Sequence, residues 1–188
     1  MATAAWVFGK RVKYLLVAVS LLALQANVAA QVGNSDAVTA KAEVISPITI
    51  ASTTVMDFGK LYTFADAYTV TLLPDGYNDQ RTSTNANVPT LSDGSIKLAG
   101  LEVEGFANSA FSIQVPTTSV DLTHDDGTTT MGLTAVKAYT DNGTEITSNV
   151  SLNGSGKYDF RVGATLTLGA GQKVGLYEGS FDVTVTYE

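Results

Sequence analysis

The sequence contains no cysteine, which excludes disulfides, thiolate metal sites, cysteine nucleophiles and thiol redox chemistry. It contains a single histidine, His124. A zinc centre without cysteine needs several histidines, and a serine triad needs a histidine beside an activated serine. No Gly-x-Ser-x-Gly elbow occurs. Basic residues are scarce, eleven against eighteen acidic, giving a formal charge of −7. Such a surface repels phosphate backbones and anionic lipid, which argues against nucleic-acid binding. Helical patterning is also missing: no long segment places apolar residues at i, i+3, i+4 and i+7.

What is there begins with a secretory signal. Lys10, Arg11 and Lys13 form a basic region, Leu15 to Leu24 an apolar one, and Val28-Ala29-Ala30 a small-residue cleavage site. The apolar run is shorter than the roughly 20 residues of a membrane span. Cleavage after Ala30 is expected to leave Gln31 to Glu188, with eight basic against eighteen acidic residues and a formal charge of −10. The exported chain is expected in the periplasm in transit, then at the cell surface or outside. It carries no membrane span, and its length suits one domain with its own core. Trp6, the only tryptophan, leaves with the signal.

Beyond residue 30 the sequence reads as short strands separated by turns. Ala37 to Val44 alternates, with Val38, Ala40, Ala42 and Val44 on one side. Pro47 interrupts the pattern, as at an edge strand or a sheet switch. Ile48 to Met56, Tyr68 to Leu73, Ile96 to Val103, Ala110 to Val115, Leu133 to Tyr139, Glu145 to Leu152, Lys157 to Val162, Thr165 to Leu168 and Tyr177 to Tyr187 are further extended stretches. Tyr77 to Thr90 is polar and reads as a loop. Asp141-Asn142-Gly143 is a hairpin signal, and Asp125-Asp126-Gly127 a turn. The last eight residues alternate without a break, placing Phe181, Val183, Val185 and Tyr187 on one face. The expected fold is an all-β sandwich of nine or ten short strands. Residues 31–46 form an N-terminal extension or first strand, and 47–188 the domain.

Candidate chemistry is thin. His124 beside Asp125 and Asp126 reads as a solvated turn. Asp121, Asp125 and Asp126 lack the ligand spacing of a calcium loop. Asp57-Phe58-Gly59 reads as a turn after a strand, with Phe58 in the core. No enzyme activity, cofactor or metal is expected.

Several segments resemble a known pattern when taken in order. They are Ser46-Pro47-Ile48-Thr49-Ile50 leading to Met56-Asp57-Phe58-Gly59, GFANSAFSIQVP over 105–116, FRVGATL over 160–166, and GLYEGSF over 175–181. Together they resemble a bacterial secreted domain family of unknown function, related to spore coat protein U and archaic chaperone–usher pilins. The resemblance implies an immunoglobulin-like sandwich and a fibre subunit completed by strand exchange. Its partners would be further copies of the chain, a periplasmic chaperone and an outer-membrane usher. It gives the C-terminal strand, with Phe181, Val183, Val185, the penultimate Tyr187, and Gly175 fourteen positions from the end, the role of a partner-binding strand. Val38, Ala40, Ala42 and Val44 become a candidate donor strand. The same alternation fits the domain's own first strand, because a strand looks alike whichever molecule supplies its partner. The alternative function is a self-contained binding module, for example for glycans, with Tyr62, Tyr68, Tyr77 and Tyr139 stacking on sugar rings.

Overall fold

The structure, a computed structural model, describes residues 35–87 and 96–188. The proposed signal lies outside the described residues. The chain separates into Met1–Glu43 and Val44–Glu188. Of the first unit, residues 35–43 belong to no helix or strand and every one is exposed. The second unit is all-β and sandwich-like, as its alternating sequence predicts.

Eleven strands form among the described residues. They are β1 (Thr49–Thr54), β2 (Tyr68–Asp75), β3 (Asn78–Ser83), β4 (Ala99–Glu104), β5 (Ala110–Gln114), β6 (Val120–His124), β7 (Thr130–Thr140), β8 (Val150–Ser151), β9 (Lys157–Leu168), β10 (Tyr177–Glu178) and β11 (Thr184–Tyr187). The larger sheet runs β1-β4-β9-β7-β6-β10, with the β2–β3 hairpin added on β9. The smaller sheet is β11-β5-β8. All pairings are antiparallel.

The central strand is β9. The two stretches expected at 157–162 and 165–168 are one continuous strand. Its first half pairs with β4, its second half with β2 on the same edge, and β7 lies along the other edge. Gly163 sits where the partner changes, and a Cβ there would lie 2.4 Å from the Leu72 carbonyl. A bulge between Thr134 and Lys137 in β7, with Ala135 at φ +48°, bends the sheet at the same level. The inward residues Val70, Leu72, Val103, Phe111, Phe160 and Val162 are essentially inaccessible and form the centre of the core.

Several expected strands are redrawn. The polar stretch from Tyr77 contains β3, folded onto β2 through Gly76 at φ +58°. Val120–His124, absent from the expected strands and with His124 expected in a turn, is β6. The stretch 145–152 pairs with the β7 backbone at the single Tyr139–Glu145 bridge, and its end, β8, joins β5 in the other sheet. The expected strand from Tyr177 to Tyr187 is two pieces in different sheets, because the chain crosses between layers after Glu178.

Candidate functional site: an unpaired strand edge beside an apolar cleft

The sandwich is unequal at one seam. β1 ends the larger sheet and β11 ends the smaller one, and the two lie alongside each other without a ladder. Tyr187 closes this seam at one end, its hydroxyl donating to the Ser46 carbonyl at 3.1 Å and accepting the Phe106 amide at 2.6 Å. Gly105 makes room for it, since a Cβ there would meet the hydroxyl at 2.2 Å.

β11 combines an unpaired backbone edge with a partly covered apolar face among the described residues. Its register with β5, and the Glu188 amide bonded to the Ala110 carbonyl, turn Thr184, Thr186 and Glu188 toward β5. The backbone groups of Val185 and Tyr187 therefore point to the other edge, where no strand is paired among the described residues. Phe181, Val183, Val185 and Tyr187 face inward as expected, yet all four are only half-buried.

At the end of the seam opposite Tyr187 lies a cleft of about 1090 Å³. One lip is Thr53–Thr63, the other Gln172–Gly179, and Phe181 closes one wall. Leu122, Met131, Leu133, Leu166 and Leu168 supply an apolar floor. Val55, Tyr62, Val174 and Leu176 stand exposed on the lips. Gly175 belongs to the second lip, so it and Phe181 line the cleft, while Val183, Val185 and Tyr187 continue away from it along β11.

The first lip is a backbone segment fixed by side chains. Asp57 pairs with Lys97 through two backbone bonds of 2.9 Å, and its carboxylate accepts the Gly59 amide at 2.7 Å. Gly59 then takes φ +69°, and Phe58 is buried, as the Asp-Phe-Gly reading expects. Arg81, on β3, is itself buried and donates from Nη1 to the carbonyls of Phe58 at 2.6 Å and Lys60 at 3.1 Å. The Tyr68 hydroxyl donates to the Tyr62 carbonyl. Burial pushes that phenol above its usual range, and the nearby Arg81 charge opposes the shift.

The second lip is fixed by His124, which corrects its reading as a solvated residue: it is 5% exposed, at the end of β6. A carbonyl only accepts, so Nε2–H donates to the Val174 carbonyl at 3.1 Å. Nδ1 accepts the Asp126 amide at 2.9 Å, and the Asp125 carboxylate lies 2.7 Å away. The ring packs edge-on against Tyr177. Gln172 donates to the Thr130 carbonyl and the Tyr177 hydroxyl, and Lys173 pairs with Asp126 at 2.7 Å. The Lys173 ammonium, with amides of Thr129 and Thr128, holds the Asp126 carboxyl well below the usual carboxylate range.

Val38, Ala40, Ala42 and Val44 belong to no strand, and Val38 and Val44 are 93% and 95% exposed. Of the four tyrosines considered for stacking, Tyr68 is buried and Tyr139 half-buried, whereas Tyr62 and Tyr77 are exposed. Burial raises the Tyr139 phenol as well. Sequence reasoning missed Arg81 altogether, because a lone arginine in a polar stretch carries no signal of burial.

No curated protein matches the chain. Residues 48–187, which take in every strand described above, match the domain of unknown function DUF4402, and the chain belongs to that family.

Proposed function

We propose that the protein is a structural subunit of a bacterial surface fibre, assembled by adding a strand from one copy to the cleft of the next. One observation carries this reading. Of the nine large apolar side chains exposed among the described residues, four line the cleft and three, Val38, Val44 and Ile45, lie in the segment before β1. Exposed apolar surface so concentrated marks an interaction site. The unpaired edge of β11 offers backbone bonds to the same incoming strand. In the arm, Val38, Ala40, Ala42 and Val44 would fill the cleft on alternate positions.

The likeness to chaperone–usher pilins supports the same reading. It adds a periplasmic chaperone that covers the edge in transit and an usher that exchanges it for the arm. The chain is exported on this reading, so N-terminal sequencing of protein from the native host should begin at Gln31.

Deleting Gln31 to Glu43 should leave a subunit that a chaperone holds but that joins no fibre. A peptide of residues 31–46 should bind and stabilise that truncated subunit. The same peptide with Ala40→Asp should bind far more weakly, since it buries a carboxylate without a partner. A stable monomer of residues 31–188 at high concentration, indifferent to the peptide, would overturn the reading.

A second reading, a glycan-binding module, keeps one support. Tyr77 is 80% exposed beside a shallow depression bordered by Asp141, Asn142, Asn153 and Asp159. Arg161 stitches the turns together there by donating to the carbonyls of Gly76 and Asp141.

A further inference from the structure

Arg81 and His124 are the buried polar or charged side chains among the described residues, and each lies behind one lip of the cleft. Neither lines it. Arg81 reaches from β3 to the carbonyls of Phe58 and Lys60, and His124 from β6 to the carbonyl of Val174. On both lips a glycine is pressed against the polar group. A Cβ at Gly59 would lie 3.1 Å from Arg81 Nη1, and one at Gly175 would lie 2.1 Å from His124 Nε2. The two lips are thus built alike: a stretch of backbone, a glycine, and a buried donor aimed at a carbonyl.

We propose that Arg81 and His124 are positioning residues that hold the two lips apart and shaped for an incoming strand before it arrives. The purpose assigned to them rests on the strand-acceptor reading above. An open cleft with an apolar floor gains free energy by closing, because closure removes that floor from water. Closure here would pull the lip carbonyls away from a buried guanidinium and a buried imidazole. A buried donor that loses its acceptor forfeits the hydrogen bond and remains desolvated. Apolar side chains at 81 and 124 would impose no such penalty, and the lips could then settle onto Leu122, Met131 and Leu168.

The test uses the chain of residues 31–188, with Arg81→Met and His124→Leu, and the conservative pair Arg81→Lys and His124→Gln. Lysine keeps a donor toward the Phe58 carbonyl, and glutamine keeps one toward Val174. Hydrogen exchange of the free chain is read at the lip amides. Loss of one clamp is expected to speed exchange about tenfold on its own lip only, 57–63 for Arg81 and 172–177 for His124. The conservative variants should restore most of the protection. Binding of a labelled peptide of residues 31–46 is measured alongside, and its association rate should fall about tenfold in the apolar variants and recover in the conservative ones. Unchanged lip exchange in both apolar variants would overturn the proposal, even if the peptide binds. Failure of the wild-type chain to bind any peptide would instead remove the strand-acceptor reading and leave the clamps to be judged by exchange. Global loss of protection in an apolar variant transfers the decision to its conservative partner, where protection of both lips must persist.

Discussion

The Tyr187 hydroxyl bonds the Ser46 carbonyl at 3.1 Å across 141 positions of sequence, so the penultimate residue anchors the entrance to the first strand. Tyr187→Phe removes that bond and leaves the Phe106 amide without its acceptor. A loss of about 1–2 kcal/mol of stability is expected in urea unfolding, with the slope of the transition unchanged. Tyr187→Ala should cost more, because the ring also packs on the core. Wild-type stability for both would show that the strand end is decoration.

Gly175 and His124 form a pair that a double-mutant cycle can test. Gly175→Ala drives a methyl into the imidazole and should destabilise by about 1–3 kcal/mol. His124→Ala opens that space at its own cost. The two losses together should be clearly less than additive, since the clash needs both groups. Strict additivity would mean that the methyl is accommodated elsewhere.

Asp126 sets an expectation for acid. Its carboxyl titrates below the usual range in the folded domain, chiefly through Lys173 and then through amides of the β6–β7 turn. A depressed folded value means that the contribution is present above the unfolded carboxylate range, about pH 4, and is lost as pH falls below it. Asp126→Asn should therefore flatten the dependence of stability on pH on the acid side and leave the dependence near neutrality alone. Thermal melts between pH 2 and pH 7 read this directly. An identical acid profile would place the linkage on other carboxylates.

Val185 and Val38 should respond differently to the same change. Val185→Asp puts a charge on the inward face of β11 and should lower stability or partner binding by some 1–4 kcal/mol. Val38→Asp alters a residue already in water and should leave the melting temperature where it was. On the strand-addition reading it should nonetheless abolish assembly. A fibre or peptide complex that tolerates Val38→Asp would remove this segment as the donor.

The sequence made the fold class legible through alternation alone, and wherever both inward residues and turns were conventional the strands came out close to their places. β2, β5, β7 and the alternation of Phe181 to Tyr187 are such cases. The two strands absent from the expected set, β3 and β6, share a cause. The buried side chain of β3 is Arg81, and the inward row of β6 ends on His124. A pattern that scores apolar alternation cannot register β3, whose core-facing residue is polar, and in β6 it meets only Val120 and Leu122 before the row turns polar. The same polar residues secure the lips of the cleft, so the site was hidden at the positions that shape it. The separation of β10 from β11 was hidden for another reason. Alternation specifies which face is wet but carries no information about which sheet the strand joins.

The position of β9 within the chain bears on biogenesis. Its partners lie in β2, β4 and β7, all of which precede it in the chain, and it begins only at Lys157. Any earlier segment possesses hairpins and isolated pairs, which are marginal on their own. The larger sheet cannot close around a centre that does not yet exist, and the distant pairings slow its closure once it does. The order of the strands, with the centrepiece after the three it joins, thus holds back closure of the larger sheet until Lys157–Leu168 has been made.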